Sequence, residues 1–285
     1  MSTLLTILKQ AEQFLKQKGI TNALFNAEVL FSCALGCDRI DLYLRHNSAL
    51  KEEQLKVIRA LLTRRAHREP LQYIVGEWPF YELILSLDHR VLIPRPETEF
   101  MVEWAIKYFR EKRFYNPQVL DLGTGSGAIA LSIAKEFPRS KVIAADKSPD
   151  ALQLASENAK RNKLRNITFV QSTWYSSING TFDLIISNPP YLSENEWQNV
   201  EPEIKNFEPK IALVADNEGI ADLTEIIKGA PKFLKPDGIL LLETGQSQHD
   251  NLLKFANENF DVSKSQKDQF GKDRFLIFQQ PISDL

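Results

Sequence analysis

From Pro117 onward, short apolar runs alternate with longer amphipathic stretches, and this alternation leaves few folds open. Gln118-Val-Leu-Asp-Leu, Lys141-Val-Ile-Ala-Ala-Asp, Ile167-Thr-Phe-Val-Gln, Phe182-Asp-Leu-Ile-Ile-Ser and Gly238-Ile-Leu-Leu-Leu-Glu read as strands. Ala128 to Phe137 and Asp150 to Asn162 read as helices between them. Strands that are apolar almost throughout must be buried on both faces, so the pattern predicts a parallel sheet with helices on each side. Asp261-Val-Ser and Arg274-Phe-Leu-Ile-Phe look like a closing pair joined by a turn at Gly271.

The amino-terminal residues follow a different period. Leu4, Leu8, Ala11 and Leu15 recur at helical spacing with Gly19 as a stop, and Ala27, Leu30, Phe31, Ala34 and Leu35 run to Gly36. Leu55, Ile58, Leu62 and Ala66 mark another helix before Pro70. Such short helices hold together only by packing their apolar stripes into a bundle. Tyr73-Ile-Val-Gly and Phe80-Tyr-Glu-Leu-Ile-Leu-Ser-Leu are rich in strand formers, with Trp78-Pro79 between them, which suggests a hairpin. Pro94-Arg95-Pro96 then leads into a helix with Glu97 and Glu99 in its first turn and Phe100, Trp104 and Tyr108 on its buried face. The expected division is a helical bundle over 1–72, a β-hairpin linker over 73–93 and the α/β domain over 94–285.

Net charge is −2, and no apolar run approaches the roughly 20 residues that span a bilayer, so neither a polyanion nor a membrane is the expected partner. The two cysteines, Cys33 and Cys37, lack any companion Cys/His pair and are expected as small core residues in a reduced, cytoplasmic protein. No metal is expected.

Asp121-Leu-Gly-Thr-Gly-Ser-Gly127 follows the first strand of the α/β region and opens its first helix. Glycines there allow a tight turn and let a ligand approach bare backbone. The spacing of Gly123, Gly125 and Gly127 is neither the G-x-G-x-x-G dinucleotide fingerprint nor a phosphate-binding P-loop. Asp146 ends the second strand, nineteen residues beyond Gly127, where a carboxylate can accept both hydroxyls of a ribose. These residues resemble the class I S-adenosylmethionine methyltransferases. The resemblance implies a Rossmann-like domain with a mostly parallel seven-stranded sheet. It also implies that the loop Gly123, Thr124, Gly125, Ser126 and Gly127 holds the methionine part of the cofactor and that Asp146 holds the ribose. Trp174 sits where that family packs a side chain on the adenine, although the same spacing suits an ordinary core tryptophan.

Asn188-Pro189-Pro190-Tyr191 directly follows the fourth strand. An amide or ring amino nitrogen is a poor nucleophile because its lone pair is delocalised. A site can compensate by gripping both N–H groups and aiming the nitrogen at the methyl donor. The Asn188 side-chain oxygen and the Pro189 carbonyl are two such acceptors, fixed by successive prolines, and Tyr191 offers a flat face for a planar group. Adenine, guanine and glutamine all present a planar NH₂, so the tetrapeptide leaves the substrate open. The stretch from Glu194 to Glu208 carries five Glu and one Lys, which disfavours a phosphate backbone.

Arg68-Glu-Pro-Leu-Gln-Tyr-Ile-Val-Gly, Leu92-Ile-Pro-Arg-Pro-Glu-Thr-Glu, the glycine loop, Ser187-Asn-Pro-Pro-Tyr-Leu and Lys272-Asp-Arg together make nearly the whole chain similar to the release-factor glutamine methyltransferases. The resemblance implies a helical amino-terminal domain, a hairpin linker and a catalytic domain. It implies transfer of a methyl group from S-adenosylmethionine to the amide N5 of glutamine in the Gly-Gly-Gln loop of peptide chain release factors, leaving S-adenosylhomocysteine. Relatives of the family that methylate a ribosomal-protein glutamine, and nucleic-acid amino-methyltransferases, are the alternatives. Arg95 is read either as shaping the glutamine entrance or as a loop salt bridge. The basic cluster Arg59, Arg64, Arg65, His67 and Arg68 is read as a solvated helix face or a dock for an acidic partner protein.

Overall fold

The computed structural model describes residues 3–281, which separate into two compact units. One holds residues 3–77 together with Glu201–Phe207; the other holds Trp78–Val200 and residues 208–281.

In the first unit, α1 (Leu4–Gln17) buries Leu4, Leu8, Ala11 and Leu15, the stripe read from the sequence. Thr3 caps it by accepting from Thr6 N at 3.3 Å. Next come α2 (Ala23–Leu35), α3 (Arg39–Leu44), α4 (Glu52–Ala66) and α5 (Leu71–Val75). The last of these corrects the expectation of a strand at Tyr73-Ile-Val. Pro70 starts a helical turn there and Gly76, at φ +81°, ends it, and an apolar run this short fits either structure. Arg65 also departs from the solvated-face reading. It is buried on α4, where Nε donates to Asn26 Oδ1 (2.7 Å), Nη1 to the Glu69 carbonyl (3.2 Å) and Nη2 to Glu203 Oε1 (3.0 Å). Arg64 pairs with Glu69, Arg68 with Glu203, and Arg59 with Glu52, so most of the basic cluster is neutralised within the unit. Cys33 is exposed and Cys37 half-buried, because α2 turns Ala27, Leu30 and Phe31 inward instead. Neither is a core residue.

The hairpin is β1 (Glu77–Phe80), which begins at the last residue of the first unit, and β2 (Leu83–Ser86), turning at Tyr81-Glu82, so Trp78-Pro79 lies inside β1 and not between strands. Asn158 holds β2 in place: its Oδ1 accepts from Ser86 N (2.7 Å) and its Nδ2 donates to the Ser86 carbonyl (3.1 Å). Helix α6 (Pro96–Glu111) has Glu99 in its first turn, where Oε1 accepts from Tyr81 N at 2.8 Å. Its deeply buried residues are Met101, Val102, Ala105, Ile106 and Phe109; the expected face of Phe100, Trp104 and Tyr108 is only half-buried. Those aromatics stack at its edge, Trp104 on Tyr108 at 5.4 Å and Phe100 on Phe275 at 5.8 Å.

The sheet uses β3 (Gln118–Leu122), β4 (Lys141–Asp146), β5 (Ile167–Gln171), β6 (Phe182–Ser187), β7 (Leu234–Glu243), β8 (Phe260–Lys267) and β9 (Asp273–Pro281). Among the described residues it has seven strands in the order β5-β4-β3-β6-β7-β9-β8, parallel except at β9. Helices α7 (Ala128–Glu136) and α8 (Pro149–Arg161) supply the crossovers from β3 to β4 and from β4 to β5. Every α7 residue from Ala128 to Ala134 is buried, which suits a helix enclosed on all sides. Leu120, Leu122, Ile185, Leu240 and Leu242 pack on Leu223, Ile226 and Ile227 of the helix Ala221–Gly229 to form the main core. No helix of the described residues is long and apolar enough to cross a membrane.

Candidate active site

Strands β3 and β6 lie side by side and parallel, with Leu122 opposite Ser187. The chain leaves β3 towards one side of the sheet and β6 towards the other, so a crevice opens between their carboxyl ends. Ser187 Oγ donates to the Leu122 carbonyl at 2.6 Å and ties the two ends together. Gly123 and Asn188 therefore emerge as neighbours.

The glycine loop is held from below. Gly123 N and Thr124 N both donate to the Ala145 carbonyl, at 2.8 and 2.9 Å. Asp121, fully buried, accepts through Oδ2 from Thr124 Oγ1 (2.6 Å) and Ala130 N (3.2 Å). Burial pushes its carboxyl up to about 7, against the pull of those two hydrogen bonds. Its Oδ1 has no hydrogen-bond partner among the described residues. Gly127 begins α7 at φ +84°, and a Cβ there would stand 2.9 Å from Leu131 Cδ1 and 3.2 Å from Ala155 Cβ. Only glycine fits on both counts.

Asp146 faces the loop from the end of β4. Its Oδ2 accepts from Gly125 N and its Oδ1 from Ser148 N, each at 2.9 Å. A carboxylate offers about four lone-pair positions, so both oxygens keep capacity for a diol. Burial raises its pKa and the backbone donors oppose the rise. Trp174 is 9% exposed in the core, as the core reading expected, and it also lines the cleft. It sits at φ +44°, an unusual conformation for a bulky residue, with Nε1 donating to Asp222 Oδ1 at 3.2 Å.

Asn188 is half-buried and lines the same cleft. Its Nδ2 donates to Thr98 Oγ1 (3.1 Å), and Thr98 Oγ1 donates to Glu243 Oε2 (2.8 Å). Burial pushes Glu243 up to about 7, while Thr98 and Arg274 draw it down. Pro189 and Pro190 are buried, and the Tyr191 carbonyl accepts from Gln248 Nε2 at 2.7 Å. Burial and the nearby Glu243 raise the Tyr191 hydroxyl well above its ordinary value, so it stays neutral. Arg95 takes the salt-bridge form, with Nη2 donating to buried Glu208 Oε1 at 2.7 Å while Glu208 Oε2 accepts from Ile93 N at 3.1 Å.

The structure thus gathers Gly123, Gly125, Asp146, Trp174, Asn188 and Pro190 around one cleft. Thr124, Ser126, Gly127, Pro189, Tyr191 and Arg95 do not line it. The first three shape the loop. The sequence reading missed Thr98 and Glu243 as partners of Asn188, and Asn158 as the anchor of Ser126, whose carbonyl accepts from Asn158 Nδ2 at 2.9 Å. The only trace of them in the sequence was a carboxylate closing an apolar strand and a threonine inside Pro-Arg-Pro-Glu-Thr-Glu. Bare backbone at the loop, a carboxylate with spare acceptors and an indole wall fit S-adenosylmethionine.

Fold and cleft together define a methyltransferase. Residues 115–278 match the family model described as a methyltransferase domain, and residues 6–76 match one described as the PrmC N-terminal domain. The chain is similar to the release factor glutamine methyltransferase of Fusobacterium nucleatum, 39% identical over 98% of this chain and 79% of that one. It is likewise similar to that of Geobacter sulfurreducens, 37% identical over 96% of this chain and 95% of the other. The chain belongs to the release factor glutamine methyltransferase family. At the level of fold it resembles a methyltransferase from Pyrococcus furiosus, with a TM-score of 0.51 at 20% identity, covering 71% of this chain and 91% of that chain.

Proposed function

We propose that this chain transfers the methyl group of S-adenosylmethionine to the side-chain amide nitrogen of a glutamine in a peptide chain release factor. One observation carries the reading. Asn188-Pro189-Pro190-Tyr191 leaves β6 beside the glycine loop of β3, in a chain 37–40% identical to release factor glutamine methyltransferases over most of its length. Bound S-adenosylmethionine supplies an electrophilic methyl on a sulfonium.

The residues of the chain do the rest. Asp146 takes the ribose hydroxyls and Trp174 flanks the adenine. Asn188 Oδ1 and the Pro189 carbonyl accept the two amide N–H groups of the glutamine, which turns its nitrogen lone pair toward the methyl. A C–N bond forms as the C–S bond breaks, and the alkylated nitrogen sheds one proton to solvent. Tyr191, neutral and outside the cleft lining, closes the tetrapeptide, its carbonyl anchored by Gln248 Nε2. The helical unit is compact by itself, which suits a role in engaging the body of the release factor.

Two variants test the assignment by failing in different ways. Asp146→Ala is expected to weaken cofactor binding by about 1–3 kcal/mol, as buried hydroxyls lose their acceptors. Asn188→Ala, which removes a side chain that lines the same cleft, is expected to lose turnover by roughly a hundredfold or more, well beyond any loss in cofactor affinity. Calorimetry and methylation rates separate the two. Normal turnover by Asn188→Ala would remove the reading.

A further inference from the structure

The side-chain amide of asparagine has two ends of similar shape and opposite hydrogen-bonding character, and only one serves the reaction. If Nδ2 faced the substrate, it would meet the glutamine N–H groups donor to donor. Something must therefore hold the amide the right way round.

The groups behind Asn188 do this. Thr98 is buried and its hydroxyl has a single proton. Glu243, 1% exposed at the end of β7, offers Oε2 as an acceptor whether it is ionised or protonated on Oε1, and Oε2 takes that proton at 2.8 Å. Thr98 Oγ1 then has only lone pairs left for Asn188, which must present Nδ2, at 3.1 Å. Asn188 Oδ1 accepts nothing from the described residues, and Asn188 lines the cleft while Thr98 and Glu243 do not. The chain of bonds thus runs in one direction, from Asn188 through Thr98 to Glu243, and leaves Oδ1 as the free end.

We propose that Thr98 and Glu243 are positioning residues that fix the orientation of the Asn188 amide, so that its oxygen faces the glutamine to be methylated. The inference rests on the reading of Asn188 given above. Neither residue touches substrate or cofactor; both act through Asn188.

Thr98→Val keeps the shape and removes the hydroxyl, whereas Thr98→Ser keeps the hydroxyl. Thr98→Val is expected to lower kcat on a release-factor substrate by about tenfold or more with cofactor Kd unchanged, because the amide is free to turn. Thr98→Ser is expected to recover most of the lost rate. The decisive comparison is made in the Asn188→Ala background, where a residue that acts only through Asn188 has nothing left to orient. There Thr98→Val is expected to add no further loss. Loss of kcat that persists undiminished in that background, or a Thr98→Val enzyme as fast as wild type, would overturn the relay. If Asn188→Ala itself turned over normally, the fault would lie with the underlying reading and not with the relay. Should Thr98→Val fail to fold, Glu243→Ala read against the same Asn188→Ala background makes the same comparison.

Discussion

Asp121 and Glu243 are carboxyls enclosed by the fold, and each is pushed up to about 7 by burial. A folded-state pKa above the unfolded value means that folding favours the protonated acid. The stability this contributes is complete below the unfolded pKa and is lost as pH rises through about 7. For Asp121 the hydrogen bonds from Thr124 and Ala130 recover part of the cost of burying the charge, but Oδ1 remains without a partner among the described residues. Asp121→Asn abolishes this titration. The difference in unfolding free energy between variant and wild type is expected to shift in favour of the variant by on the order of 3 kcal/mol between pH 4 and pH 8. Urea unfolding at the two pH values measures it. A pH-independent difference would show that Asp121 titrates normally in the folded protein.

Asn158 makes a single helix, α8, the organiser of both the hairpin and the glycine loop. Its amide joins β2 through Ser86 and the loop through the Ser126 carbonyl, with no exposure to solvent. Asn158→Ala is expected to cost about 2–4 kcal/mol, because one buried and two half-buried backbone groups lose their partner. Cofactor affinity should fall with it, as the loop is freed. Thermal unfolding and calorimetry on one preparation check both, and an intact affinity would separate the loop from its anchor. The elements themselves were largely open to reading: β3, β4, β5 and β6 begin and end where their apolar runs do. The failures share a physical cause. Tyr73-Ile-Val is too short for periodicity to tell helix from strand, and the turn chemistry of Pro70 and Gly76 decided it. Phe100, Trp104 and Tyr108 have the right spacing for a core face, yet α6 buries the stripe beside them, since wide rings pack well at an edge.

Across the whole chain, what the sequence hid is what long-range folding creates. Asn188 and the glycine loop could be recognised from local spacing. Thr98 and Glu243 stand 145 residues apart, and no local pattern announces that their side chains meet behind Asn188. Arg65 was misread for the same reason, because its carboxylate partner, Glu203, lies 138 residues away in a segment that joins the first unit. The acidic run from Glu194 to Glu208 is likewise not a uniform exposed surface. Glu203 and Glu208 are committed to ion pairs with Arg65 and Arg95, which reduces the part of that run free to repel phosphate. The choice of substrate therefore rests on the family more than on charge, since the geometry at Asn188 suits any planar NH₂ group. The most direct test is to incubate the purified enzyme with labelled S-adenosylmethionine and purified release factor, then to locate the label by tandem mass spectrometry. One methyl group on the side-chain amide of the Gly-Gly-Gln glutamine is expected, and none when that glutamine is replaced by asparagine, whose shorter side chain withdraws the nitrogen from Asn188. Label entering DNA or RNA, with none on the release factor, would contradict the account.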